Sequence, residues 1–459
     1  MTKKKYLCPA PARENRGHFT QQAMKRYAIL ILALCSAWSA STAQTPQMRR
    51  SEFVTFDTRR DALAGDRSKT QRYFAVEPAS EGSVEAGELY AQRFDIPASW
   101  NDYNTYLHLE NVGSAYTLAI NGQTVAEVED DRTPADFLIS PWLQQGSNTL
   151  SVILRPSRHP ELQEGIPMPQ RPRFDGSYVF AQRKLHVYDF KAAIVPDSTE
   201  KYGIFRMDVI AANDFNYDET IAIGYDIYSP EGKLIDYGVR EMTLAGRSRD
   251  TLHVKADIYG AYTHKWGGNR GEAPLYPVML YVKRNGMIYE YIPFKAGFGV
   301  SELENGRIVR FGKPIDIVRQ RYNAAADRTT TAREIAAMKK QGVNTLIPDF
   351  PQPEWFYDEC DRAGIYVIDR ANINAPHNAG DRSVGGTPSN DPALLDEYID
   401  RIDAMYFRVN NHPCVIGFML GGESGNGYNM YKAYEHLKSL EERRPVIYEN
   451  SFGEWNSDM

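Results

Sequence analysis

The chain has 459 residues, 42% of them hydrophobic and 24% charged, and a net charge of −6. That is the make-up of an ordinary globular protein, long enough for two to four domains. Residues 1–43 carry seven Lys/Arg against one Glu, so residues 44–459 carry −12, and an acidic body of that kind speaks against nucleic acid or an anionic membrane surface as partner.

Residues 1–23 form a polar extension ahead of Met24, which reads as a second candidate start. Met24-Lys25-Arg26, the apolar run Tyr27 to Cys35 and the small residues Ser41-Thr42-Ala43 make up the three regions of a signal peptide over 24–43. Export to the periplasm or the extracellular space is therefore expected. The apolar run is too short for a membrane span, and no later stretch is long enough. Leu34 before Cys35 argues against a lipoprotein. Only Cys360 and Cys414 come after the leader, so no disulfide framework is expected.

Residues 50–190 read as all-β. Short alternating runs such as Tyr106-Leu107-His108-Leu109 and Tyr116-Thr117-Leu118-Ala119-Ile120 are broken by turn dipeptides such as Asn121-Gly122. A second β-rich section, residues 191–298, has strands at Ile221 to Tyr228 and Val278 to Val282, with the spacing of an immunoglobulin-like sandwich. From residue 299 the period changes. Helices are predicted over Thr331 to Gln341, Trp355 to Ala363, from Asp391-Pro392 onward, and over Met430 to Leu440; strands are predicted at Val343 to Ile347, Ile365 to Ile368, Cys414 to Leu420 and Val446 to Tyr448. Alternating strands and helices imply a parallel sheet. Residues 299–459 number 161 and hold about five strand-helix units, against about 250 residues for a complete (β/α)8 barrel.

The stretch Cys414 to Leu420 is nearly all apolar, as a strand buried on both faces is, and runs through Gly421-Gly422 to Glu423. A carboxylate at the carboxyl end of a parallel strand is a candidate general acid or base; the plainer reading is a solvated loop glutamate. Partial burial at the strand ends is expected to raise its pKa. Trp355 either stacks on a sugar or belongs to the core.

Several segments resemble glycoside hydrolase family 2, the β-galactosidases and β-glucuronidases. Leu118 to Val125, Asp130 to Phe137 and Trp142 to Leu150 resemble its sugar-binding jelly roll. Trp266 with Pro274-Leu275-Tyr276-Pro277 resembles its second domain. Phe356 to Arg362, Ala371-Asn372-Ile373, Asn390-Asp391-Pro392, Asn411-His412-Pro413 and Gly421 to Gly425 resemble its barrel. The resemblance implies a jelly-roll β-sandwich, an immunoglobulin-like β-sandwich and an incomplete (β/α)8 TIM barrel, with carbohydrate as the partner. It makes Glu423 the acid/base of a retaining mechanism, and Asp130, at the rim, and Asn372 substrate-binding residues. Asp130 read alone is a turn residue capping backbone amides.

Against the family pattern, the nucleophile is expected at the end of a seventh barrel strand, beyond the five strand-helix units counted here and so not among these residues. Glu449 is set aside because the family's fifth strand ends similarly without being catalytic. Gly422 stands where the family has a sugar-binding asparagine. Arg319-Gln320-Arg321-Tyr322-Asn323-Ala324 and Pro348-Asp349-Phe350-Pro351 lack the family's histidines. The magnesium-binding Glu and His fall at Asn374 and Pro376, so no metal or cofactor is expected. Three readings are open: a β-galactosidase-like retaining glycosidase, a non-catalytic carbohydrate-binding or scaffold protein derived from it, or a β-sandwich interaction module centred on residues 88–298.

Overall fold

A computed structural model describes residues 47–459 except 71, 111, 167–171, 173, 268–272 and 442. The extension and leader expected over residues 1–43 lie outside the described residues. Two antiparallel five-stranded sheets come first. One has the order Gln47–Met48, Ala135–Leu138, Tyr103–Leu109, Tyr178–Arg183, Tyr73–Ala75; the other Ala79–Val84, Gly87–Ile96, Gly146–Arg155, Ala115–Ile120, Gln123–Val128. Alternation sets which side chains face inward: along Gly146–Arg155 the buried residues are Asn148, Leu150, Val152 and Leu154. They meet Leu107, Phe137 and Val179 of the facing sheet in one core. The Asn121-Gly122 turn has positive φ at both residues, 52° and 76°, as the tightest hairpins require.

The second assembly packs a three-stranded sheet (Leu185–Pro196, Tyr202–Asn213, Ser248–Tyr259) on a four-stranded one (Leu234–Leu244, Glu219–Tyr228, Leu275–Arg284, Met287–Gly297). Beyond it Trp266 is fully buried in the core of the strand-helix segment, where its Nε1 donates to the Asp361 carbonyl at 2.8 Å and the Arg310 guanidinium covers the ring. That tryptophan docks the second sandwich onto the strand-helix segment.

The third assembly is a parallel sheet in strand order 1-2-3-4-5: β1 (Arg319–Arg321), β2 (Thr345–Ile347), β3 (Tyr366–Arg370), β4 (Val415–Met419) and β5 (Val446–Ile447). Four helices cross over between strands: α1 (Arg328–Lys340), α2 (Glu354–Ala363), α3 (Leu395–Val409) and α4 (Tyr428–Leu440). Asp327 caps α1 by accepting from the Thr330 amide, which starts the helix three residues before the apolar pattern does. Gly364 ends α2 in the left-handed conformation. At Asp391-Pro392 the expected helix start becomes a 3-10 turn, with Asp391 accepting from the Ala393 amide, and α3 begins at Leu395. Trp355 is half-buried against the core, as in the plainer of its two readings. No helix of the described residues is long and apolar enough to cross a membrane.

Candidate active site at the ends of the parallel strands

β4 is buried at all five positions, and the chain leaves it through Leu420-Gly421-Gly422 to Glu423. Neighbouring strand ends fix this exit. The Gly422 amide donates to the Ile373 carbonyl at 2.7 Å, the Ala375 amide donates to Ser424 Oγ at 2.9 Å, and the Tyr448 hydroxyl donates to the Gly425 carbonyl at 2.6 Å. A Cβ at position 421 would lie 2.8 Å from the Ile373 carbonyl oxygen, so the close approach of the two turns requires glycine there. Glu423 itself is exposed. This corrects the partial burial expected of it: the backbone on either side is enclosed, and the side chain points out of that enclosure.

Two further carboxylates stand at these strand ends, and arginines hold both. Asp349, after β2, accepts from the Arg370 guanidinium at 2.7 Å, from Arg321, and from Asn323 at 2.9 Å. Burial alone would raise the Asp349 carboxyl, but these donors and charges bring it below its ordinary value. Glu449, after β5, pairs with Arg319 at 2.6 Å, which joins the two outer strands of the sheet. Arg321 is held above its ordinary value first by its hydrogen bond to Asp349, with Glu423 and Glu449 adding to it. Arg370 is buried, and burial lowers its guanidinium below the ordinary value against the opposing charge of Asp349. Arg370 is the residue that sequence reasoning missed; the available signal was a charged side chain ending a strand that is otherwise buried throughout.

The position expected to carry a sugar-binding asparagine is filled by other groups. A Cβ on Gly422 would overlap Asn374 Oδ1 and lie 3.0 Å from Arg370 Nη1. Asn374 is committed elsewhere too, donating to the Glu164 carbonyl at 2.5 Å.

The structure brings Asp130 and Asn372 together, 2.7 Å apart. Asp130 is not at the rim as expected. It is buried, accepting the amides of Arg132 and Thr133 as the turn reading requires, and accepting Asn372 Nδ2 as well. Burial opposes its charge, but Arg401 and the bonds from Thr133 and Asn372 hold the carboxyl below its ordinary range. Its neighbour Asp131, also bonded by Asn372, is raised instead, because burial outweighs Arg132.

Among the described residues, two groups have metal-ligating atoms within 4.8 Å of one another: Asp361, His412 and Cys414; and Glu52, His108 and Glu110. Both are already engaged. His412 pairs with Asp361 at 2.7 Å, and Glu52 is held by Arg408 at 3.0 Å and Arg67 at 3.2 Å, cations that disfavour a metal ion beside them.

Residues 319–458 match the TIM barrel domain of glycosyl hydrolases family 2, and residues 67–169 match the sugar binding domain of the same family. The chain is similar to the β-galactosidase of Priestia megaterium, 28% identical over 380 residues that cover 79% of this chain and 36% of the relative. It is also similar to the β-galactosidase of Streptococcus thermophilus, 26% identical over 377 residues, 78% of this chain and 35% of the relative. Among solved structures, Bacteroides uniformis β-glucuronidase superposes with a TM-score of 0.67 at 17% identity, covering 88% of this chain and 52% of that one. The chain thus spans just over a third of the curated relatives it matches and about half of that structure. With both the sugar binding and the barrel domains of the family matched, together over more than half of the chain, the chain belongs to glycosyl hydrolase family 2.

Proposed function

We propose that the chain acts on β-linked glycosides as a β-galactosidase-like retaining glycoside hydrolase in which Glu423 is the acid/base. The observation that supports it is placement: a solvent-accessible carboxylate, on backbone fixed from three sides, at the carboxyl end of β4. A retaining mechanism needs a second carboxylate about 5 Å away; Asp349 and Glu449 are engaged by arginines and are not assigned that role. The reading divides the chain into a leader over 24–43 for export, a jelly-roll domain over 50–190, an immunoglobulin-like domain over 191–298 and a barrel segment over 299–459. Within it Asp130 and Asn372 shape the floor beside the sugar from below.

One observation favours a second reading, carbohydrate binding without turnover. The space for the family's asparagine is taken by Asn374 and Arg370, which removes a hydrogen bond to the sugar. Release of phenol from aryl β-galactosides and β-glucuronides, compared for the natural sequence and Glu423→Gln, separates the two. Loss of orders of magnitude in rate on that substitution supports catalysis; binding of the glycoside with no turnover in either form supports the second reading.

A further inference from the structure

A cavity of about 50 Å³ lies between the second sandwich and the amino-terminal end of β4, where Val415 lines it, at the opposite end of that strand from Glu423. Its wall carries Lys191, from the strand Leu185–Pro196, Arg310, which ends the strand Arg307–Arg310, and His412, Arg443 and Arg444, from the segments that lead into β4 and β5. Among the described residues no aspartate or glutamate lines it. The carboxylates behind the wall are already taken: Arg444 Nε donates to Glu441 at 3.0 Å, and His412 pairs with Asp361 at 2.7 Å. Although burial opposes its charge, Asp361 raises His412 to about 9, so it is a cation at neutral pH. Lys191 stands 3.9 Å from the same Glu441. Burial lowers its ammonium below the ordinary value, and Arg444 and Arg443 add to that fall against the pull of Glu441. Five cations on the wall against these two carboxylates leave a surplus of three positive charges.

Arg310 is the group that this charge balance leaves unmet. It is 5% exposed, and it donates to the Gly299 carbonyl at 2.6 Å and to Ser301 Oγ at 3.1 Å. A guanidinium has five N–H groups to place, yet among the described residues its Nε has no hydrogen-bond partner and no carboxylate pairs with it. The Trp266 ring, 4.9 Å away, offsets part of the charge. A buried charge without a counter-ion is costly, and burial pulls this one down to about 10. Arg443, half-buried, also pairs with no carboxylate among the described residues. We propose that the cavity binds a small tetrahedral oxyanion, free phosphate or sulfate, which neutralises Arg310 and ties the second sandwich to the barrel segment. At roughly 10–15 Å³ for each oxygen-sized occupant, the space holds about four, the number of oxygens in such an anion. Arginine forks match its paired oxygens, and a cleft walled by one sign of charge concentrates it.

Thermal unfolding of the full chain at constant ionic strength, with sodium phosphate replacing sodium chloride, tests this. The midpoint is expected to rise with phosphate and to saturate, as binding to the folded state alone requires, and sulfate is expected to act alike. Arg443→Ala removes a side chain that makes no ion pair of its own, and is expected to weaken the apparent affinity about tenfold or more. Arg310→Met is expected to abolish the effect. Lys233→Ala, at an exposed lysine that does not line the cavity, is expected to keep it. Chloride as effective as phosphate, or a phosphate effect that survives Arg443→Ala at full strength, overturns the site. Glucose 6-phosphate is expected to stabilise less, because its sugar exceeds the cavity. Equal stabilisation by that ester would overturn the free anion and assign the site to a phosphate carried on a larger molecule.

Discussion

Asn372, on the turn after β3, donates through Nδ2 to Asp130 at 2.7 Å and to Asp131 at 3.0 Å, so one amide ties the sandwich loop to the end of a barrel strand 242 residues away. Both carboxylates are buried, Asp130 at 4% exposure, and an amide is a neutral donor that serves both without adding a charge. Sandwich and barrel segment are thereby registered at the level where Glu423 emerges.

Replacing Asn372 by alanine removes that donor and leaves two buried carboxylates short of a partner. The expected loss is about 1–3 kcal/mol of unfolding free energy, measured by urea titration of the two proteins under identical conditions. A loss below about 0.5 kcal/mol, the range of inert surface changes, would show that the amide is incidental.

How much of this was legible in the sequence depends on the range of the interaction. Local punctuation was readable: the Asn121-Gly122 hairpin, the left-handed Gly364, and the apolar β4 running into a glycine pair all took the form their residues dictate. Asp130 shows the boundary. Its capping of the Arg132 and Thr133 amides is local and was foreseen, whereas its burial beneath Asn372 depends on how two distant segments dock. Arg370 was illegible for a related reason. Its guanidinium matters because Gly422 leaves room beside it and Asp349 neutralises it, and neither neighbour is close to it in the chain.

Asp369 gives a pH test. Buried completely, it accepts from the Tyr357 hydroxyl at 2.9 Å while its second oxygen has no hydrogen-bond partner among the described residues, and burial raises its carboxyl to about 7. The folded state thus holds a proton that the unfolded state releases near the ordinary 3.8. Stability should fall as pH rises between those values and level off above the higher one. Asp369→Asn keeps the acceptor for Tyr357 and removes the titration. It should flatten that limb and be more stable than the natural sequence above pH 7, by on the order of 2 kcal/mol. A variant whose stability tracks the natural sequence through the whole interval would exclude the assignment.

His108 has the opposite chemistry and the same sign. Burial works against its charge, but Glu52 and Asp136, with hydrogen bonds to Asp136 and Glu110, raise it to about 10. The stability it contributes is complete below the ordinary histidine value and is lost as pH climbs from about 6.5 through about 10. His108→Gln should cost about 3–5 kcal/mol near pH 6, where it leaves buried carboxylates uncompensated. It should cost progressively less toward pH 10, which thermal unfolding across that range would track. A cost independent of pH would mean that the imidazole is neutral and only packs.

Gly422 connects the stability of the strand ends to their chemistry. If the occupied space beside it is what separates this chain from a sugar-binding asparagine, Gly422→Asn alone should destabilise by about 1–3 kcal/mol, as overpacking does, and should bring no gain in glycoside binding. Asn374 Oδ1 is the nearest obstacle to the new Cβ, ahead of Arg370 Nη1 at 3.0 Å. Shortening Asn374 to alanine in the same molecule removes the first obstacle, although the bond to the Glu164 carbonyl is lost with it. The double variant should therefore cost less than the two single changes added together, a coupling of at least about 0.5 kcal/mol for groups in direct contact. Strict additivity in urea unfolding would mean that Asn374 yields without resistance, and that Arg370, fixed by Asp349, is what keeps position 422 a glycine.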